Sequence, residues 1–426
     1  MKSVYDVFSE RGFIEQVTDE ELVRELLARE SVTCYIGFDP TATSLHIGSL
    51  VTIMALSHMQ RAGHRPIALV GGGTALIGDP SGKTEMRQIL TRDEIDRNAG
   101  AIRKQLSRYI EFNDNRALLL NNADWLAGLN YIEFLRDIGR HFSVNRMLAA
   151  ESYRMRMETG LNFIEFNYML LQSYDFYYLS RHHDCVIQMG GNDQWGNIVA
   201  GVDLTRRLEG RQVYGVTFPL LVTSQGHKMG KTEKGTVWLD PDLTSPYEYF
   251  QYWINTEDAD VERFMALFTF LPVEEIRAVS TLADAEINMA KAVLAFEATL
   301  ITHGEAEAVA AWKASAGAFN LRPVSPGLFP SSSIPRRDVT EDVSAIPTYE
   351  KPMDEVETTP IAVLFQEVGL CASRGEARRL ITQGGAYING RQIASIDDRI
   401  DVGDLDENRE IRLRKGKKKY AIIRAR

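Results

Sequence analysis

Val32-Thr33-Cys34-Tyr35-Ile36-Gly37-Phe38-Asp39-Pro40-Thr41 is a β-branched and aromatic run ending in turn chemistry, and shortly after it Leu45-His46-Ile47-Gly48-Ser49 opens the apolar stretch Leu50 to Leu56. That order predicts a strand, a loop and the start of a helix. A helix start presents unpaired backbone N–H groups and the positive end of its dipole, so anionic phosphates settle there, and Gly48 lets a nucleotide approach the backbone closely. His46 adds a side-chain donor. Far along the chain, Lys228-Met229-Gly230-Lys231-Thr232 sets two lysines three apart. Such a segment can carry two positive charges onto a triphosphate as charge moves to the leaving pyrophosphate. Alone, the first segment is ordinary capping and the second a solvated surface; together they read as two halves of one ATP site.

Working outward, β-rich runs at 32–37, 66–71 and 185–190 alternate with helical patterns, which predicts an α/β parallel sheet with ligands at the carboxyl ends of its strands. Tyr35, Asp79 and Asp193 fall at or just beyond such ends. Tyr168, Gln172 and Asp175 stand at i, i+4 and i+7, so on a helix they share one face over about 10 Å of axis, enough to hold both ends of a small zwitterion. The neighbouring Phe163, Phe166, Met169, Leu170, Leu171 and Phe176 are too apolar for a freely solvated helix. The segment 114–157 reads as a helical insertion, unusually apolar for a connection. Residues 223–320 read as the lysine loop followed by a helical domain, 321–357 breaks into Pro, Ser and charge as a linker, and 358–426 forms a last domain. That places a first domain at 1–222.

At 426 residues the chain suits two or three domains. Cys34, Cys185 and Cys371 are too few and too scattered for a disulfide framework or a zinc site, so no metal centre and no zinc are expected. No apolar run approaches the roughly 18 residues a membrane span needs, and Met1-Lys2-Ser3-Val4-Tyr5-Asp6 lacks a signal-peptide core, so a cytoplasmic protein without membrane contact is expected. The net charge of −10 argues against a general nucleic-acid binder, yet residues 358–426 carry 14 Lys plus Arg against 9 Asp plus Glu, a net of +5 that leaves −15 on the rest. Within them, Arg374, Arg378 and Arg379 fall on about one face of a short predicted helix, Asn389-Gly390 is a hairpin signal, and Lys417-Lys418-Lys419 ends the run.

His46-Ile47-Gly48 and Lys228-Met229-Gly230-Lys231-Thr232, with Gly37-Phe38-Asp39-Pro40-Thr41 beside them, resemble the two signatures of class I aminoacyl-tRNA synthetases. Tyr35 before that Gly-Phe-Asp-Pro-Thr, the loop Gly71 to Ser81, Tyr168-Met169-Leu170-Leu171-Gln172-Ser173-Tyr174-Asp175 and Gln188-Met189-Gly190-Gly191-Asn192-Asp193-Gln194-Trp195-Gly196-Asn197 narrow the likeness to the bacterial tyrosyl-tRNA synthetase family. The resemblance implies a Rossmann-like catalytic domain whose 114–157 insertion forms a homodimer, a helical domain, and a small α+β RNA-binding domain of the S-four family. It implies activation of L-tyrosine by ATP and transfer to tRNA(Tyr), with Mg²⁺ accompanying ATP.

By the same likeness, Asp79, Tyr168 and Gln172 take the substrate ammonium, Tyr35 and Asp175 hold the phenolic hydroxyl, and Gln194 borders the tyrosine. Gly37, Asp39, Gly48, Ser49, Gly190, Asn192 and Asp193 border the nucleotide. Thr41, His46, Lys83, Arg87, Lys228, Lys231 and Thr232 stabilise charge on its phosphates, although Lys83 and Arg87, four apart, read equally well as surface charges. Arg374, Arg378, Arg379, Lys417, Lys418 and Lys419 meet tRNA. Ser49 departs from the family pattern, which has a second histidine or an asparagine there. A tryptophan-specific sibling suits the residues less well, because Tyr35 and Asp175 match a phenol better than an indole.

Overall fold

The computed structural model describes residues 2–81, 90–113, 115–226, 229–232, 235–319, 324–336, 346–416 and 419–426, with the backbone alone at 231–232 and 317–319. They form two compact units, one of Met1–Gly230, Val237–Asp240 and Glu257–Ser280, the other of Lys231–Thr236, Pro241–Thr256 and Thr281–Arg426.

The first unit is built on a six-stranded sheet: β1 (Gln16–Val17), β2 (Thr33–Phe38), β3 (Arg65–Val70), β4 (Leu118–Asn121), β5 (Cys185–Gly191) and β6 (Tyr214–Phe218), in the spatial order β1-β6-β5-β2-β3-β4. Only β1 runs antiparallel to its neighbour; the rest are parallel. Parallel strands buried on both faces need near-continuous apolar runs, as in Pro66-Ile67-Ala68-Leu69-Val70, all buried. From β2 the chain builds outward through β3 to β4 on one side, then returns to lay β5 and β6 on the other. The strand order therefore reverses between β2 and β5, and a crevice for ligands opens at their carboxyl ends.

The helix Leu50–Arg61 is buried on nearly every side. Its His58 sits edge-on to Phe8, Phe13 and Phe270, and burial first, then Arg11 and Arg61, pushes the imidazole down to about 3, so it packs as a neutral ring. The Val261–Phe268 helix packs on Leu50–Arg61, and the Arg11 guanidinium donates to the carbonyls of Ala266, Thr269 and Leu271. Residues 257–280 thus belong with the sheet unit, not with the helical domain expected over 223–320.

The 114–157 segment is not helical throughout. Leu118-Leu119-Leu120-Asn121 is the edge strand β4, paired with β3, before the helices Ala123–Leu126, Tyr131–Asp137, Val144–Leu148 and Glu151–Thr159. A short apolar run has no period that separates strand from helix, and pairing to an open sheet edge decided it. Between the last of these helices and Phe163–Phe166, Arg156 and Glu165 form a 2.8 Å ion pair at only 2% exposure each.

In the second unit the helices Pro246–Ile254, Ala285–His303 and Glu305–Phe319 pack together. A five-stranded sheet follows, of β9 (Thr348–Lys351), β10 (Ala386–Ile388), β11 (Arg391–Gln392), β12 (Glu410–Lys415) and β13 (Lys419–Ala425), ordered β11-β10-β12-β13-β9. The 321–357 passage is less of a linker than its composition predicts. Val324, Phe329 and Ile334 are buried, the Ser332 hydroxyl donates to Glu297 at 2.6 Å, and β9 joins the last sheet beside β13. A few apolar residues among prolines and serines suffice to dock an irregular chain.

Glu165→Ala leaves the Arg156 guanidinium buried without its carboxylate, and it is expected to cost roughly 3 kcal/mol of stability, read from the denaturant midpoint. A loss below about 0.5 kcal/mol, the size of an exposed pair, would overturn this account of the packing.

Candidate active site

The residues just beyond each strand furnish the crevice. Tyr35 lies within β2 beside the helix Tyr168–His183, its ring 5.5 Å from Phe176. Its hydroxyl is buried and has no hydrogen-bond partner among the described residues. Asp175, on that helix and 2% exposed, accepts from Asn122 Nδ2 at 2.9 Å and Trp125 Nε1 at 2.8 Å. Burial pushes its carboxyl up to about 7 against the pull of those two donors. Asp175 in turn raises the Tyr35 hydroxyl further above its ordinary range, after burial itself. An orphan hydroxyl beside a carboxylate held only by neutral donors leaves room for one more polar group.

A second cluster lies beyond β3 and β5. Asp79 accepts from the Ser81 amide at 2.9 Å and from Gln194 Nε2 at 2.7 Å. Asn197 Nδ2 lies 3.0 Å from Gln172 Oε1 and 3.2 Å from Gln194 Oε1. The Tyr168 hydroxyl donates to Asp39 Oδ2 at 3.0 Å, and Thr74 donates to Asp39 Oδ1 at 2.8 Å. Gly71 is required here, because a Cβ would stand 2.0 Å from Asp39 Oδ1. Asp79, Gln172 and Gln194 thus come together through Asn197, with Asp39 and Tyr168 paired to one another. Asn192 is turned away from that cluster: its Oδ1 accepts from Gln16 at 2.6 Å and Thr217 at 3.2 Å.

The segment expected to border the nucleotide begins where β2 ends. Asn98 donates to the Pro40 carbonyl at 3.0 Å and Gln105 Oε1 accepts the Leu45 amide at 2.9 Å, so the helix Arg92–Leu106 pins the loop that carries Thr41 to His46. Ile47–Ser49 forms a 3₁₀ turn leading into Leu50–Arg61, and a Cβ on Gly48 would meet the His46 ring at 2.7 Å. The two signature segments meet. Ile47 N donates to Val237 O, Leu239 N to Leu45 O, and Val237 N to Gly230 O, while a Cβ on Gly230 would lie 3.4 Å from Gly48 N. Lys231 and Thr232 come next, their backbone forming strand β7, hairpin-paired with β8 (Gly235–Thr236). Lys83, Arg87, Lys228, Lys417 and Lys418 lie outside the described residues.

The family described as tRNA synthetases class I (W and Y) matches residues 27–320, and the tyrosine–tRNA ligase SYY-like C-terminal domain matches 338–423. A tyrosine–tRNA ligase of Syntrophus aciditrophicus (strain SB) is 65% identical over 425 residues, covering 100% of this chain and 99% of that one. Another, from Desulfosudis oleivorans, is 61% identical over 428 residues, covering 99% and 98%. A C-terminally truncated mitochondrial tyrosyl-tRNA synthetase of Aspergillus nidulans superposes with a TM-score of 0.66 at 31% identity, over 73% of this chain and 93% of that one. The chain belongs to the tyrosine–tRNA ligases.

In this ligase, sequence reasoning missed Thr74, Asn122, Trp125 and Asn197. A signal existed for Asn122: Asn121-Asn122 ends an apolar run just as Asp39 and Asn192-Asp193 do. Arg374, Arg378 and Arg379 are all exposed on the helix Arg374–Thr382, and Lys419 is exposed on β13. The Asn389-Gly390 turn joins β10 to β11 as the hairpin signal predicts.

Asp175 has a raised folded-state value, so its contribution to stability is full below the ordinary carboxylate range and is lost as pH rises through about 7. A phenol that donates to the ionised carboxylate offsets that loss. Tyrosine is therefore expected to raise Tm more at about pH 8 than at about pH 5.5, measured by thermal shift. Equal shifts at both would contradict the assignment.

Proposed function

We propose that this ligase activates L-tyrosine with ATP in the crevice at the β2–β5 reversal and passes the tyrosyl group to tRNA(Tyr). The substrate phenol lies between Tyr35 and Asp175, accepting from the one and donating to the other. The ammonium lies at Asp79, Tyr168 and Gln172, with Gln194 alongside. The carboxylate attacks the α-phosphate of ATP and pyrophosphate leaves; the terminal ribose hydroxyl of the tRNA then takes the acyl group and AMP departs. Neither step needs a protein nucleophile, so the residues work by positioning and by stabilising charge. His46, Thr41, Lys83, Arg87, Lys228, Lys231 and Thr232 serve the phosphates, with Gly37, Asp39, Gly48, Ser49, Gly190, Asn192 and Asp193 around the rest of the nucleotide. Mg²⁺ arrives with ATP and supplies phosphate charge neutralisation. Among the described residues no group of three or more His, Cys, Asp and Glu could hold a metal ion, so no protein ligand is assigned to it.

The homodimer reading is supported by exposed apolar side chains gathered in and after the insertion, among them Tyr131, Ile132, Val144, Met157 and Phe163, at 55–71% exposure. Among the described residues no helix is long and apolar enough to cross a membrane, and the reaction is assigned to the cytoplasm. The basic 358–426 domain is assigned to tRNA through Arg374, Arg378, Arg379, Lys417, Lys418 and Lys419, whose phosphate contacts make binding salt-dependent.

The observation that carries the reading is the partnerless Tyr35 hydroxyl beside the buried Asp175 carboxylate. Phenylalanine would leave the Tyr35 hydroxyl unanswered and Asp175 with no donor beyond Asn122 and Trp125, at about 4 kcal/mol together, roughly a thousandfold. Tyrosine is expected to drive ATP–pyrophosphate exchange and phenylalanine to fail, with Asp175→Ala losing most of the tyrosine-dependent rate. Near-normal discrimination in Asp175→Ala would sink the pocket assignment.

A chain ending near Ser344 loses β9 to β13 but none of the residues assigned to tyrosine or ATP. It is expected to make tyrosyl-adenylate at close to the full rate while charging tRNA with a raised KM. Equal charging by both forms would remove RNA binding from the last domain.

A further inference from the structure

Asn197 opens the Trp195–Glu209 helix region behind the ammonium cluster, is only 2% exposed, and touches three polar groups: Gln172 Oε1 at 3.0 Å, Gln194 Oε1 at 3.2 Å and Ser81 Oγ at 3.3 Å. A side-chain amide is nearly symmetric in shape, so only its partners decide which end is oxygen and which nitrogen. Here one partner has no choice. Asp79, as a carboxylate, can only accept, so Gln194 must turn its Nε2 to it, at 2.7 Å. Its Oε1 then faces Asn197, which must answer with Nδ2. The same Nδ2 turns Gln172 so that its oxygen, not its NH₂, lies in the cluster.

We propose that Asn197 is the positioning residue of the ammonium subsite: it relays the polarity of Asp79 through Gln194 to Gln172 and locks Gln172 as an acceptor. This rests on the reading that Asp79, Tyr168 and Gln172 receive the substrate ammonium. An ammonium has three donors and no acceptor, so a flipped Gln172 would oppose NH₂ to NH₃⁺ and lose a charge-assisted hydrogen bond. With Asn197 present, the subsite is set before the substrate arrives.

The test uses ATP–pyrophosphate exchange with two competitive inhibitors, tyramine, which keeps the ammonium and lacks the carboxylate, and 3-(4-hydroxyphenyl)propionate, which lacks the ammonium. Asn197→Leu, close in volume and without donors, is expected to raise the tyrosine KM and the tyramine inhibition constant about tenfold or more, while the propionate constant and the ATP KM stay within about twofold. Equal weakening of both inhibitors would overturn the proposal in favour of a general collapse of the pocket.

Gln172→Ala separates the proposal from the reading beneath it. If it weakens tyramine and Asn197→Leu does not, the positioning role fails and the subsite stands; if it leaves tyramine unchanged, the subsite reading fails and the proposal with it. Should leucine prevent folding, Asn197→Ala is compared in two backgrounds. It weakens tyramine beside Gln172 and far less beside Gln172→Glu, whose two oxygens need no orienting. Equal loss in both backgrounds would overturn the proposal.

Discussion

A carboxylate only 2% exposed to water is the constraint around which the pocket is arranged, because Asp175 has only two neutral donors, Asn122 and Trp125, and no cation among its described partners. Neutral hydrogen bonds do not repay the desolvation of a charge, which is why its carboxyl stands at about 7. The fold has to bring three chain segments to that point. Asn122 comes just after β4, Tyr35 lies in β2, and Asp175 comes from the helix that leads into β5. The edge strand β4, formed from a leucine run with no diagnostic period, is what delivers Asn122 and Trp125.

The reversal of strand order between β2 and β5 does the corresponding work for the nucleotide half. The chain leaving β2 turns through Asp39 and Thr41 into His46, and the segment 237–239 lies along that turn by backbone hydrogen bonds, with Val237 in turn donating to Gly230. Main-chain pairing thus brings Gly230 of the second signature to the first through Val237.

The parallel sheet and three of its six strands, β2, β3 and β5, were legible in the sequence, because strands buried on both faces carry long apolar runs and the residues after them change abruptly to turn chemistry. The i, i+4, i+7 spacing of Tyr168, Gln172 and Asp175 likewise named one helix face. What was not legible depends on partners far away in sequence. Leu118 to Leu120 became a strand because β3 offered an edge. Residues 257–280 joined the first unit because Arg11 finds its carbonyls there. Asn122, Trp125 and Asn197 act only through another side chain, and a single asparagine or tryptophan has no pattern that announces such a role.

The two acidic poles of the ammonium cluster share one consequence. Asp79 fixes Gln194 as a donor toward itself, and Asp39 receives the single hydroxyl proton of Tyr168, at 3.0 Å. A phenol that has spent its proton can only accept from any further partner. Under the proposed function Tyr168 and Gln172 then offer oxygen acceptors beside the Asp79 carboxylate, and a ligand with donors only, such as an ammonium, fits them. The phenol end obeys the opposite rule. There the Tyr35 hydroxyl keeps its proton beside the Asp175 carboxylate, so the group proposed to fit must both donate and accept, as a phenolic hydroxyl does and a phenyl ring cannot. Under the proposed function, selection at both ends depends on where each carboxylate stands relative to the neutral groups beside it.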